Sequence, residues 1–337
     1  MGLRQFRMAA LALLMLVMLV AGLFSLLLFW PEPLSSVGVR VAVYRGSSTD
    51  QVIRQLHQTP LLPVPAVFHL AWLLEGRPVL HAGLYVFHGT VDVAQVLSIL
   101  RQGRSVPLTV TIIPGTTVRQ IYALLRKSPY LDTGSLPPES RLARFVGPLG
   151  QAAPNAEGLF LPQSFRYVPG DPALGLLRQS AAMMERELHH FWIRRARGLP
   201  LQDPYQVLVL ASIVQKEGAP AGEQKRIAAV FLNRLRQGMP LQSDPTVIYA
   251  LGRHYHGRLA PGDMNMPSAY NTYIHKGLPP APIAMPGLQA IRAVLHPARN
   301  HDLYFIAKGQ TYHYSRNYAR HVQQIRKYLR ALPGERP

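Results

Sequence analysis

The sequence predicts an α+β protein: an N-terminal transmembrane helix, a small module of β–α units, and a mainly helical domain carrying a C-terminal β-hairpin. Three observations carry that expectation. Met8–Trp30 is a run of 23 residues without a charge. Between residues 39 and 127, β-rich stretches that close on Gly-Ser or Gly-Thr recur, each ahead of a helical pattern. From Pro204 onward apolar residues recur at helical spacing, punctuated by Gly and Pro, until a β-type composition appears near Leu303.

The elements follow in order. At 1.5 Å per residue the apolar run reaches roughly 34 Å, enough for a hydrocarbon core of about 30 Å. Arg4 and Arg7, in a tail of residues 1–7, favour a cytoplasmic N-terminus, and Trp30 suits the opposite interface. A cleaved signal peptide is the alternative, but its apolar region spans only about 7–15 residues, and no small-x-small site precedes Pro31. The bulk of the chain is therefore expected outside the cytoplasm. Residues 31–38 read as a linker. Gly46-Ser47, Gly89-Thr90 and Gly115-Thr116 each open a helix, led by Val52/Ile53/Leu56, Val93/Val96/Leu97/Leu100 and Val118/Ile121/Leu124/Leu125. Glycine permits the turn and the hydroxyl can cap free helix N–H groups. Residues 39–127 are thus expected to form one βα module, either an ordinary appendage or a glycan binder.

Residues 128–332 are expected to form the second domain, with a tail at 333–337. Its Pro/Gly-rich start, 128–172, leads into helices over Ala173–Arg197, Tyr205–Glu217 and Gly222–Gln237, the last stopped by Gly238. Asp244, as N-cap, and Pro245 open a helix through Leu251. Pro286–Leu295 follows, then a hairpin of Leu303–Ala307 and Thr311–Tyr314, then a basic helix over Asn317–Leu332.

The 337 residues hold 36 Lys and Arg against 17 Asp and Glu, a net charge of +19, so the surface attracts anions. The anchor argues against nucleic acid as the partner. With no Cys, thiol catalysis, disulfide scaffolds and Cys-bearing metal sites are excluded. No phosphate-binding loop, dinucleotide fingerprint or His-Glu-x-x-His occurs. His254 and His256 lack an evident third metal ligand. Ser212 and Lys216 stand four residues apart, whereas the penicillin-binding-protein pair needs three.

So few carboxylates make the search for a catalytic acid nearly exhaustive. Glu185 and Glu187 flank Arg186 on a charged stretch. Glu217 differs, because Leu210, Ile213 and Val214 precede it by seven, four and three positions. That spacing sets it on a buried stripe. It also falls at the helix C-terminus, where desolvation and the helix dipole both disfavour its charge. A carboxyl kept protonated near neutral pH suits a general acid. The alternative is a helix-end Glu that turns outward to water after Gly218.

These residues resemble a known family. Ala211–Glu217, Val230–Arg236, Met239–Tyr249, Tyr270–Ile283 and Pro286-Gly-Leu288 look like the YceG-like endolytic murein transglycosylases, as do Glu157-Gly158, Pro162 and Leu303-Tyr-Phe-Ile. The resemblance spans about Val39–Leu329. It implies a LysM-like module near the membrane and a lytic transglycosylase domain facing the periplasm, on a single-pass inner-membrane anchor. Such enzymes cleave the MurNAc–GlcNAc β-1,4 bond in nascent peptidoglycan strands and leave 1,6-anhydro-MurNAc ends. The family's catalytic Glu falls on Glu217. Gln215-Lys216-Glu217 stands where the family usually reads Glu-Lys-Glu, leaving one carboxylate as candidate. Gln163 and Met285 depart from the usual Asp and Asn.

One acid suffices for this chemistry, because the substrate's own 6-hydroxyl replaces water and no metal or cofactor is needed. Gln242, Tyr249, Asn271 and Tyr273 are candidate sugar contacts, with helix packing or loop ordering as the alternative for each. Glu157 either orients the site or ties down its loop. The implied partners are peptidoglycan strands and the inner membrane, with peptidoglycan synthases left open and no nucleic acid. A non-catalytic glycan-binding scaffold of cell-wall synthesis is the rival reading.

Overall fold

The structure is a computed structural model that describes residues 3–328. Residues 329–332 of the expected last helix and the 333–337 tail lie outside them. The chain divides into two compact units, Met1–Thr109 with Ser128–Asp132 and Arg166–Pro172, and Val110–Lys127 with Thr133–Phe165 and Ala173–Pro337.

The first unit runs α1 (Leu3–Leu28), β1 (Glu32–Pro33), β2 (Val39–Val43), α2 (Thr49–His57), α3 (Pro65–Leu74), β3 (Gly83–Phe87), β4 (Thr90–Val91) and α4 (Val93–Gln102). Within α1, Gln5–Leu28 is long and apolar enough to cross a membrane. β2 and β3 pair antiparallel, from Val39 opposite Phe87 to Val43 opposite Gly83, and β1 pairs antiparallel with β4. Val52, Ile53 and Leu56 of α2, Phe68 of α3 and Leu97 and Leu100 of α4 form one core with Tyr85 and Phe87. Each such aliphatic side chain contributes on the order of 1.5–3 kcal/mol on burial.

Two local expectations change here. α3 was not anticipated, since PAVFHLAWLL is apolar nearly throughout and shows no helical period. The capping groups also stand one or two residues beyond the Gly-Ser/Thr pairs. Ser48 caps α2 in a reciprocal box with Gln51, and Asp92 accepts the Gln95 N–H of α4 at 2.7 Å. The glycines Gly46, Gly89 and Gly115 all take positive φ, which is what each turn requires.

The third repeat belongs to the second unit, although its pattern groups it with the other two. Its backbone groups are satisfied there: Ile112 N–H donates to Gln163 O at 3.0 Å, Gly115 N–H to Met285 O at 2.8 Å and Met285 N–H to Thr116 O at 2.8 Å. The chain continues with β5 (Leu108–Thr111), α5 (Val118–Lys127), α6 (Pro148–Ala152), β6 (Ser164–Tyr167) and α7 (Ala173–Ile193). Then come α8 (Pro204–Lys216), α9 (Ala221–Arg236), α10 (Asp244–Leu251), α11 (Leu288–Leu295), β7 (Tyr304–Lys308), β8 (Thr311–Ser315) and α12 (Tyr318–Tyr328).

α8 is the centre of this unit. Asp203 caps it by accepting the Gln206 N–H at 2.9 Å, and every residue from Val207 to Val214 is buried. A helix apolar on all sides needs neighbours on all sides. α9 and α11 pack against it, and Ile227, Phe231, Ile291 and Val294 on those helices are buried. α9 ends with Gly238 N–H donating to Leu235 O and Met239 N–H to Arg234 O, the paired bonds of a Schellman stop. β7 and β8 pair antiparallel around Gly309-Gln310, from Tyr304 opposite Ser315 to Lys308 opposite Thr311.

Candidate active site

Glu217 is the residue on which α8 ends. Its N–H still donates to Ile213 O at 3.1 Å, while Gly218 already has left-handed backbone. The carboxyl is partly buried and accepts the Ser243 hydroxyl on Oε1 at 2.6 Å. Burial pushes its pKa up to about 7; the Ser243 hydrogen bond opposes that rise and the negative charge of Asp244 adds to it. The outward-turning alternative is therefore not what the fold adopts.

Ser243 is the partner that sequence reasoning missed. It occupies the N-cap of α10, but its side chain makes no capping bond and goes to Glu217. Asp244, expected as the cap, is the first helical residue, and its carboxylate accepts the Tyr273 hydroxyl. A Ser ahead of Asp-Pro reads locally as a helix start. Only the approach of α8 shows that the hydroxyl is spent elsewhere.

The loop before α10 is held by Arg234, a buried guanidinium on α9. It donates to Pro240 O at 3.1 Å, Leu241 O at 2.9 Å, Gln242 Oε1 at 3.0 Å and Leu303 O at 2.7 Å. Gln242 takes φ +53, an unusual conformation for a side chain other than glycine, costing on the order of 1 kcal/mol. Its backbone N–H donates to Thr272 O at 3.0 Å, and the residue remains exposed beside Ser243. Tyr273, half-buried, meets this group through Asp244; burial first, and then that hydrogen bond, push its phenol pKa up.

A second cluster gathers around Glu157, which is 5% exposed. Its carboxylate accepts the Val118 N–H at 2.9 Å and the Tyr249 hydroxyl at 3.2 Å. Burial dominates, and the pKa rises to about 7. The ring of Tyr249 packs on Tyr270 with centroids 4.9 Å apart, and Asn155 donates to the Tyr270 hydroxyl at 3.1 Å. Glu157 and Tyr249 line a cavity of about 610 Å³ together with Arg119, Lys216, Pro245 and Tyr255. Glu217 is not in that lining, although Lys216 beside it is. α10 links the two clusters, since Asp244 and Tyr249 are separated by roughly 7.5 Å along its axis.

Asn271 stands apart from the other candidate sugar contacts. It is fully buried; its amide donates to Met264 O at 3.0 Å and Met266 O at 2.9 Å, and its Oδ1 accepts the Tyr273 N–H at 3.0 Å. Both ends of the amide are occupied, so this residue orders the loop. Gln215 and Ser212 likewise serve the scaffold: Gln215 accepts the Gly287 N–H at 3.1 Å and Ser212 the Ile283 N–H at 3.0 Å. Among the described residues no group of three His, Asp or Glu is placed to hold a metal ion.

A carboxyl whose pKa is raised to about 7 and which is oriented by a hydroxyl at the end of a buried helix has the properties that acid–base chemistry requires, on a mixed helix-and-strand fold. A model of the YceG-like family matches residues 41–327, and the chain belongs to this family. An endolytic murein transglycosylase of Bacillus subtilis (strain 168) is 25% identical over 295 residues, covering 82% of this chain and 80% of the relative. An endolytic murein transglycosylase of Streptococcus pneumoniae serotype 2 (strain D39 / NCTC 7466) is 27% identical over 324 residues. That match covers 84% of this chain but 58% of the pneumococcal protein. In fold, the chain is similar to a crystal structure of a yceG-like protein from Listeria monocytogenes, with a TM-score of 0.53 and 24% identity over 86% of this chain and 99% of that one.

Proposed function

We propose that this protein is an endolytic lytic transglycosylase of peptidoglycan, with Glu217 as its catalytic residue. The observation that carries the reading is the Glu217 carboxyl, raised to about 7 and held through Oε1 by Ser243 at 2.6 Å. Family membership and the names of the relatives support the substrate class.

The chemistry needs one group to act twice. With Oε1 engaged by Ser243, Oε2 is the oxygen that carries the proton. Glu217 donates it to the glycosidic oxygen between MurNAc and GlcNAc as the bond to C1 breaks. The muramoyl 6-hydroxyl then attacks C1 and returns its proton to the carboxylate, leaving a 1,6-anhydro-MurNAc end. Cutting nascent strands in this way would terminate their elongation. A pKa near 7 serves both halves, since the group must release and recover a proton at the same pH. Hydrolytic glycosidases need a second carboxylate to activate water or attack the sugar; here Asp244 acts on the charge of Glu217, and its oxygen is taken by Tyr273.

Gln242, Tyr249 and Tyr273 are the proposed sugar contacts, with Glu157 holding Tyr249 at the cavity. α1 anchors the chain in the inner membrane with its N-terminus in the cytoplasm, which leaves the second unit in the periplasm. The first unit takes the LysM-like role of engaging glycan near that membrane.

The test compares the full chain with Glu217→Gln on purified murein, reading products by mass. Loss of anhydro-ended products by about 10²–10⁴-fold, with an unchanged fold, is the expected result. Wild-type rates in the variant would remove Glu217 from the mechanism. Retention of wild-type protein on murein with no new anhydro ends would instead identify a glycan-binding scaffold.

A further inference from the structure

In the second unit, the end of α9 and two loops line another cavity, open to solvent and of about 590 Å³. Its lining carries Arg197, Arg236, Arg299 and His301 and no Asp or Glu. None of these three arginines forms an ion pair among the described residues. The walls are fixed by named bonds. Buried Asn233 donates to Asn300 O at 3.1 Å and Asp302 O at 3.0 Å, pinning the loop of Arg299 and His301. Its Oδ1 accepts Arg236 Nη1 at 2.9 Å, and Arg236 Nη2 donates to Gly198 O at 3.2 Å. Ala196 N–H to Leu295 O at 2.9 Å and Ala298 N–H to Lys225 O at 3.0 Å close the two loops onto the helices.

Three arginines lining one concavity, with no carboxylate among them, make it electropositive and favourable to an anion. Their planar donors match carboxylate oxygens in pairs. The cavity also shares its support with the Glu217 site. Asn233 braces its wall, and the next residue, Arg234, braces Gln242 beside Ser243.

We propose that this cavity binds the carboxylates of the peptide stems on the glycan strand, apart from the sugar-cleaving site. The assignment rests on the murein substrate proposed above. It makes stem-bearing strands the preferred ligand, and the stems a means of registering the strand on the second unit.

The test uses the full chain in detergent carrying Glu217→Gln, so that the strands stay intact. It is titrated with fluorescent glycan strands of matched length, either bearing stems or stripped of them by an amidase. Stem-bearing strands should bind roughly 3- to 10-fold tighter at low salt, as expected for two or three partly exposed ion pairs. The preference should vanish near 1 M salt, where screening acts within about 3 Å. Adding Arg197→Gln and Arg299→Gln should abolish it and leave stripped-strand binding unchanged, which also verifies folding. Equal affinity for both strands before that change, or an undiminished preference after it, overturns the proposal. So does an arginine effect confined to phosphatidylglycerol vesicles, which would assign the cavity to phosphate. If neither strand binds, the murein reading fails as well; glycan binding without a stem preference removes this proposal alone.

Discussion

Replacing Ser243 with alanine isolates the contact that sets the acidity of Glu217. The 2.6 Å hydrogen bond from Ser243 opposes a pKa rise driven by burial and assisted by Asp244. A hydrogen bond to a charged group contributes about 1.5–3 kcal/mol and one to a neutral group about 0.5–1.5. The difference, about 1–1.5 kcal/mol, is the preference of this hydroxyl for the ionised carboxylate. At 1.36 kcal/mol per pKa unit, Ser243→Ala should raise the Glu217 pKa by about one. The assay is the pH profile of kcat/KM for release of anhydro ends, which reports the free enzyme. Because the acid must be protonated to act, the rate falls as pH climbs through its pKa. The alkaline limb should therefore lie near 7 in the wild type and near 8 in the variant, with activity below pH 6 changed only a few-fold. Asp244→Asn should move the limb the other way, since it removes a repelling charge. A Ser243→Ala profile with its alkaline limb unmoved or displaced to lower pH would refute the reasoning.

Two further outcomes concern stability. Glu157 rises from 4.5 to about 7 on folding, so its burial costs nothing below about pH 4.5, and stability is lost as pH climbs through 7. Glu157→Gln should therefore gain on the wild type between pH 5 and pH 8, by at most roughly 3 kcal/mol, in urea melts at each pH. Gly158 has φ +78, and a Cβ there would stand 2.5 Å from Pro282 Cγ. Gly158→Ala should lower stability by about 1–3 kcal/mol and lower the thermal midpoint, because strain and overlap act together.

Much of the architecture was legible along the chain, because its signals are local. A charge-free run long enough for a bilayer, glycine ahead of helical spacing, and Gly238 after a periodic segment each depend on a few neighbouring residues. α3 escaped because an apolar face cannot be told from an apolar whole when nearly every position is apolar. The third repeat looked like the first two, but its free N–H and C=O groups found partners at Gln163 and Met285, far along the chain. Pattern alone cannot reveal such bonds.

The site divides the same way. Helical spacing singled out Glu217 among 17 carboxylates as a candidate, since residues three, four and seven positions apart share a helix face, and left its outward-turning alternative open. What sets its proton affinity came from elsewhere. Ser243 lies 26 residues on, just ahead of the Asp244 expected as a helix cap, and became a hydrogen-bond donor to Glu217 only when α10 met the end of α8. Asn271 shows the converse: a plausible sugar ligand by residue type, it is consumed by two loop carbonyls and a backbone N–H. The sequence by itself set Glu217 in register with the apolar residues of α8. The tertiary structure alone decided what that acid touches, because hydrogen bonds and desolvation depend on distance in space, which residue spacing does not specify.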